Sequence, residues 1–216
     1  MKLINDFKRR SIQVFMGVIA LMIITGCTSI VGHRPVGTGD MGVVIERASG
    51  RIAIINTTTM NILGKVGDLG DLSHASVVFS RDGRYAYVFG RDGALSKVDI
   101  LEQRLVNRVM QAGNSIGGAI SADGRYVAAQ NYTPGGVKVF NAETLELVAD
   151  LPATYNTPEG PKRSRVVGLV DLPGQRFAYS LFDAGQVWVA DVSNPAQPKI
   201  QKFERSEEHT SELQSH

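Results

Sequence analysis

A repeat constrains this chain more than any other feature. Ser80-Arg81-Asp82-Gly83-Arg84-Tyr85 returns 41 residues later as Ser121-Ala122-Asp123-Gly124-Arg125-Tyr126. A looser copy, Asp171-Leu172-Pro173-Gly174-Gln175-Arg176-Phe177, follows 50 residues after that. Self-similarity at such a period belongs to architectures whose units cannot bury an apolar face alone. Each copy is preceded by an apolar run (77–79, 118–120, 167–170) and followed by a second strand (85–89, 126–130, 177–181). A third strand (95–99, 137–141, 187–191) and a fourth (105–110, 147–151, 199–203) come after short polar turns. The Asp-Gly pair reads as a tight hairpin turn, because Gly takes positive φ without steric cost. Four short antiparallel strands in roughly 40–45 residues describe a blade of a β-propeller. The regular unit and the lack of a helical period favour that over a solenoid or a sandwich. The fold class expected is therefore all-β, a β-propeller.

Residues 41–66 hold three strands (42–46, 51–55, 62–66) and no innermost one. Propellers often close by borrowing a strand from the other end of the chain, which here would lie beyond residue 204. The expectation is a partial propeller over 41–204, an opening three-strand piece plus three blades, about half a ring. Its open faces and edge would be unpaired, so this piece alone is expected to fold poorly.

Both ends read as something other than blade. Lys2, Lys8, Arg9 and Arg10 precede an uncharged apolar run at 14–24, shorter than the roughly 20 residues a bilayer needs. It ends in Ile24-Thr25-Gly26-Cys27, an aliphatic residue, two small residues and a cysteine, as in a bacterial lipobox. The expectation is a lipoprotein signal peptide over 1–26, acyl chains on Cys27 and a linker over 27–40. Several chains anchor a protein stably where one does not. Thr28 follows, not the Asp that commonly retains lipoproteins at the inner membrane. That places the mature protein in the periplasm, tethered to the outer membrane in preference to the inner. Residues 205–216 (RSEEHTSELQSH) break the rhythm and resemble a translated sequencing adapter, so they are set aside as a non-native tail. His209 and His216 go with them, which leaves His33 in the linker and His74.

Composition narrows the partners. With 43% hydrophobic and 20% charged residues the chain is neither disordered nor a polytopic membrane protein. A net charge of +2 argues against nucleic acid. A single cysteine excludes a disulfide framework and a Cys-rich zinc site.

The starts of the innermost strands ring the mouth of a propeller's channel. Aligned on the turn glycines, His74, Ser115 and Arg165 fall at one place, five residues before Phe79, Ile120 and Val170. This is either a solvated loop position or a ring of polar groups around a ligand on the axis. His74 carries the most chemistry, since imidazole can ligate iron or shuttle a proton. A haem needs only one such axial ligand, plus cations for its carboxylates. Arg91, Lys162, Arg163 and Arg165 are the basic candidates, guanidinium being suited to bidentate carboxylate binding. Tyr132 and Trp188 are either stacking platforms or core. The G-x-G-x-x-G match at 37–42 follows a linker and precedes a strand, so the dinucleotide geometry is missing. Ser, His and Asp within 70–76 make no triad by sequence adjacency.

The stretches Met41 to Arg47, Gly70 to Gly93, Gly113 to Ile120 and Pro134 to Phe140 resemble the NirF family of haem d1 biosynthesis, over about residues 41–204. That family is similar to the eight-bladed haem d1 domain of cytochrome cd1 nitrite reductase. The resemblance implies an iron ligand at His74, with Arg91 in its Gly-Arg-Asp segment and Arg165 meeting the tetrapyrrole carboxylates. The relative's Arg three residues after the ligand is Val77 here, which removes one such contact. It implies haem d1 or a late precursor as ligand or substrate, and other haem d1 assembly proteins and nitrite reductase as partners. Three functions follow as alternatives. The chain belongs to a dehydrogenase-type enzyme acting on the macrocycle periphery with His74 catalytic, to a carrier that hands the precursor on, or to a lipid-anchored propeller serving as an interaction scaffold.

Overall fold

The turn sequences explain the architecture locally. In a computed structural model, which describes residues 37–204, Ser80 donates its hydroxyl to Asp82 at 2.5 Å and accepts the Tyr85 N–H at 2.9 Å. Asp82 also takes the Arg84 N–H at 3.1 Å, and Gly83 has φ 71°. Ser121, Asp123, Arg125 and Tyr126 repeat these bonds at 2.7, 3.0 and 3.1 Å, with Gly124 at φ 76°. Each Ser-x-Asp-Gly is a self-contained turn in which side chains supply the bonds the backbone lacks. The signal peptide, Cys27, His33 and the 205–216 tail lie outside the described residues.

Seventeen strands result among the described residues. Strands β1 (Met41–Glu46), β2 (Arg51–Asn56) and β3 (Ile62–Val66) form a three-stranded sheet. Strands β4 (Ser76–Phe79), β5 (Tyr85–Phe89), β6 (Ala94–Asp99) and β7 (Arg104–Met110) form the second sheet. The third holds β8 (Asn114–Ile120), β9 (Tyr126–Thr133), β10 (Gly136–Asn141) and β11 (Leu147–Leu151). A hairpin of β12 (Thr154–Thr157) and β13 (Gly160–Arg163) intervenes. The fourth sheet holds β14 (Val166–Leu172), β15 (Arg176–Leu181), β16 (Gln186–Asp191) and β17 (Lys199–Glu204). Every sheet is antiparallel with its strands in chain order. The first strands of consecutive blades face one another, β4 against β8 and β8 against β14.

The core lies between sheets, not within them. Ile52, Ile54, Ala86 and Val88 join the first sheet to the second. Tyr87, Phe89, Val127 and Phe140 join the second to the third, and Val137, Leu151, Phe177 and Trp188 join the third to the fourth. Along β5, Ala86 and Val88 face one neighbour while Tyr87 and Phe89 face the other, as period two requires. This is why β5, Tyr-Ala-Tyr-Val-Phe, reads as a continuous apolar strand. On the fourth sheet Val170, Val187 and Phe203 are exposed.

Three local expectations change. The inner strand of the third sheet, β8, begins at Asn114, not at Gly118, because Gly117-Gly118 and the polar Asn114 and Ser115 disguise it. A Cβ on Gly118 would lie 2.1 Å from the Ala128 carbonyl oxygen and 2.2 Å from the Phe89 ring. The β12–β13 hairpin was hidden because 154–163 has no apolar alternation. Residues 38–40 of the expected linker form a 3-10 turn running straight into β1, with no helix after the glycines.

Candidate functional site

Four connections meet at the entrance to the inner strands. The loop between β3 and β4 is pinned by Leu69 and Leu72, both fully buried. Within it Asp71 accepts the Ser73 N–H at 2.9 Å, which holds the Asp71 carboxyl below the usual range, with smaller help from Arg91 and His74. His74 follows, exposed. The β5–β6 turn is tied to this loop by the Arg91 N–H, which donates to the Asp71 carbonyl at 2.8 Å. Asp92 braces the same turn, accepting the Ala94 N–H at 3.1 Å and pairing with Arg108 at 2.5 Å. The Gly93 carbonyl takes the Gln111 N–H at 3.0 Å, and the Gly113 N–H reaches the Thr133 carbonyl at 3.0 Å. Loop is thus fastened to loop across two blades.

The product is a pocket of about 230 Å³ lined by His74, Arg91, Asn114, Ile116 and Tyr132. Among the described residues no carboxylate pairs with the Arg91 guanidinium. The Asn114 Oδ1 is buried without a hydrogen-bond partner. A cation, an imidazole, a free amide and an aromatic ring therefore face one space.

The other candidates lie elsewhere. Ser115 is fully buried, and its hydroxyl donates to the Gln130 carbonyl at 2.8 Å, away from the pocket. Bulges at Asn114/Ser115 and Ser115/Gly117 turn Asn114 and Ile116 toward the pocket in its place. Arg165 stands beside the pocket, its guanidinium 5.6 Å from the Tyr132 ring and 4.4 Å from the Phe182 ring. It is engaged by Asp183 at 2.5 Å, which lowers the Asp183 pKa and raises that of Arg165. Lys162 pairs with Glu159 on the hairpin, where Arg163 is exposed. Trp188 is core, packed against Tyr179. Tyr132, one of the two aromatic residues read as stacking platform or core, lines the pocket; Asn114 and Ile116 are the lining residues that sequence reasoning did not single out, and their only signal was a place near a strand start.

The Cytochrome D1 heme domain family matches residues 36–213. The chain belongs to that family. Protein NirF of Stutzerimonas stutzeri is 55% identical over 89% of this chain and 48% of its own length. Protein NirF of Pseudomonas aeruginosa is 57% identical over 86% of this chain and 46% of its own length. The chain thus spans about half the length of the curated relatives it matches. The solved dihydro-heme d1 dehydrogenase NirN in complex with DHE superposes with a TM-score of 0.67 at 28% identity, covering 77% of this chain and 36% of that one. The Cytochrome D1 heme domain membership and this likeness make the stacked sheets blades of a propeller.

Proposed function

We propose that this chain binds haem d1 or a late tetrapyrrole precursor at the pocket of His74, Arg91, Asn114 and Tyr132, as part of haem d1 biosynthesis. The observation that carries the reading is the convergence of these four side chains on one pocket. They suit a carboxylated, iron-bearing macrocycle. The Arg91 fork fits a carboxylate bidentately. Asn114 keeps a buried, unused amide oxygen, and a half-turn of the amide presents N–H₂ to a carboxylate instead. At about 230 Å³ the pocket takes an edge of such a macrocycle, not the whole of it. If the macrocycle carries iron, His74 would be the residue to offer it an imidazole ligand. Arg91 would orient the carboxylated edge, and Tyr132 would cover a ring face.

Among the described residues the site offers groups that bind and orient, with His74 as its imidazole. That favours holding and transfer of the tetrapyrrole, with nitrite reductase and other assembly proteins as recipients. The name of the NirN relative favours a second reading, oxidation of the macrocycle periphery with an external electron acceptor. The N-terminal pattern supports lipidation at Cys27 and a periplasmic, outer-membrane location. The deciding experiment is a titration with haem d1, followed by absorption, of wild type, His74→Ala and Arg91→Ala. A saturable spectral shift that changes form in His74→Ala and weakens in Arg91→Ala is expected. An unaltered macrocycle recovered after incubation with an electron acceptor marks a carrier, and a converted one marks an enzyme. No saturable complex with any of the three proteins overturns the tetrapyrrole reading and favours the scaffold.

A further inference from the structure

A second cleft, sharing no residue with the His74 pocket, lies between the outer strands of the third and fourth sheets. Its volume is about 310 Å³, at the lower end of the range of small-molecule sites. Leu151 and Pro152 at the end of β11 and Ile200 on β17 give it apolar walls. Tyr179 and Trp188, direct cross-strand partners on β15 and β16, give it an aromatic side. Their rings are tilted at 58° with centroids 6.2 Å apart. The Lys202 ammonium sits 4.1 Å above the Trp188 ring.

One atom here is unexplained by folding. Tyr179 is 1% exposed and its hydroxyl has no hydrogen-bond partner among the described residues. Tyrosine buried elsewhere in this molecule behaves differently: the Tyr87 hydroxyl donates to the Ala142 carbonyl at 2.7 Å. A buried hydroxyl without a partner costs stability, and phenylalanine would fill the same space without that cost. A tyrosine in the wall of an aromatic cleft, with its donor unused, suits a ligand that brings the acceptor. Asp150 and Lys202 both line the cleft with opposite charge, which gives no preference to an anion or a cation.

We propose that this cleft is a binding site for a small, uncharged, planar molecule carrying one hydrogen-bond acceptor. The ring of the ligand packs between the walls of Leu151 and Ile200, taking the place of the Lys202 ammonium over Trp188, and its acceptor takes the Tyr179 O–H. No bond is made or broken.

The chain contains one tryptophan, so a single indole N–H resonance reports on the cleft. That resonance, assigned by its loss in Trp188→Phe, is followed in the full chain during titration with acetophenone and, separately, with α-methylstyrene. The two probes have the same shape and differ in C=O against C=CH₂. Both are expected to shift the resonance saturably, acetophenone binding about 5-fold tighter, the equivalent of one net hydrogen bond. Tyr179→Phe should erase the preference and leave α-methylstyrene binding unchanged. Shifts that never saturate with either probe overturn the proposal. So does equal affinity of the two probes in wild type, which needs no variant, or a preference that survives in Tyr179→Phe. None of these outcomes bears on the tetrapyrrole pocket, whose test is a different ligand at different residues.

Discussion

The backbone N–H of Arg91 donates to the carbonyl of Asp71 at 2.8 Å, joining the turn that carries the guanidinium to the loop that carries His74. Arg91 reaches the pocket because its turn is held there, and the brace on that turn is Asp92 with Arg108. Asp92→Ala removes the brace without touching the pocket. Tetrapyrrole affinity is expected to fall about 10-fold, in line with the cost of displacing a positioned group. The spectral form of the complex should stay as in wild type, because His74 is untouched. A titration of Asp92→Ala beside His74→Ala checks both parts.

Asn114 separates binding from folding. Its Oδ1 has no partner, so Asn114→Leu gives up no internal bond through that atom. The melting temperature should be unchanged within a degree or two, while affinity for haem d1 drops several-fold. A variant that melts early and binds normally would make Asn114 a structural residue.

Two buried tyrosines should respond oppositely to loss of the hydroxyl. Tyr87→Phe strands the Ala142 carbonyl and should cost about 1 kcal/mol. Tyr179→Phe strands nothing and should be neutral or slightly stabilising. Paired denaturation curves decide it. Burial pushes the Tyr87 hydroxyl up to about 12, so its absorbance should titrate well above the range of an exposed tyrosine.

Of the glycines in the inner strands, Gly118 leaves the least room for a side chain. An alanine there would press on the Ala128 carbonyl, which is backbone, and on Phe89. Overpacking of this kind costs about 3 kcal/mol, and Gly118→Ala should show it in thermal unfolding.

Acid should weaken the repeat turns in a defined window. Asp123 is raised by burial, but bonds from Ser121, the Arg125 N–H and the Arg125 guanidinium outweigh this and bring it down to about 2. A carboxyl depressed in the folded state contributes stability above its unfolded pKa and loses it as pH falls through the folded value. The contribution of Asp123 is thus intact above about pH 4 and fades toward pH 2. Asp123→Asn should melt lower than wild type at pH 6, and the gap should be clearly narrower at pH 2.5.

Much of the fold was legible because the decisive interactions are local. Ser80, Asp82 and Gly83 build their turn from their own atoms, and 41 residues later Ser121, Asp123 and Gly124 do it again. The site was legible only in part. His74 and Arg91 meet through a backbone bond between segments twenty residues apart, which no pattern of side chains announces. Ser115 looked equivalent to His74 by counting from the turn, but two bulges within β8 turn its neighbours to the pocket instead. Tyr132 lay beyond the expected end of its strand, which runs on to Thr133. The β12–β13 hairpin is polar, and its strands are fixed by backbone pairing alone.

Each apolar cluster in this molecule is shared by two sheets, and the second sheet gives alternate residues of one strand to each side. The sheet is therefore the unit of hydrogen bonding, while the seam is the unit of cohesion. Copying a 41-residue segment duplicates half of two seams. A newly copied blade would match its neighbours only after both had changed to meet it, so these blades are expected to diverge in adjoining pairs.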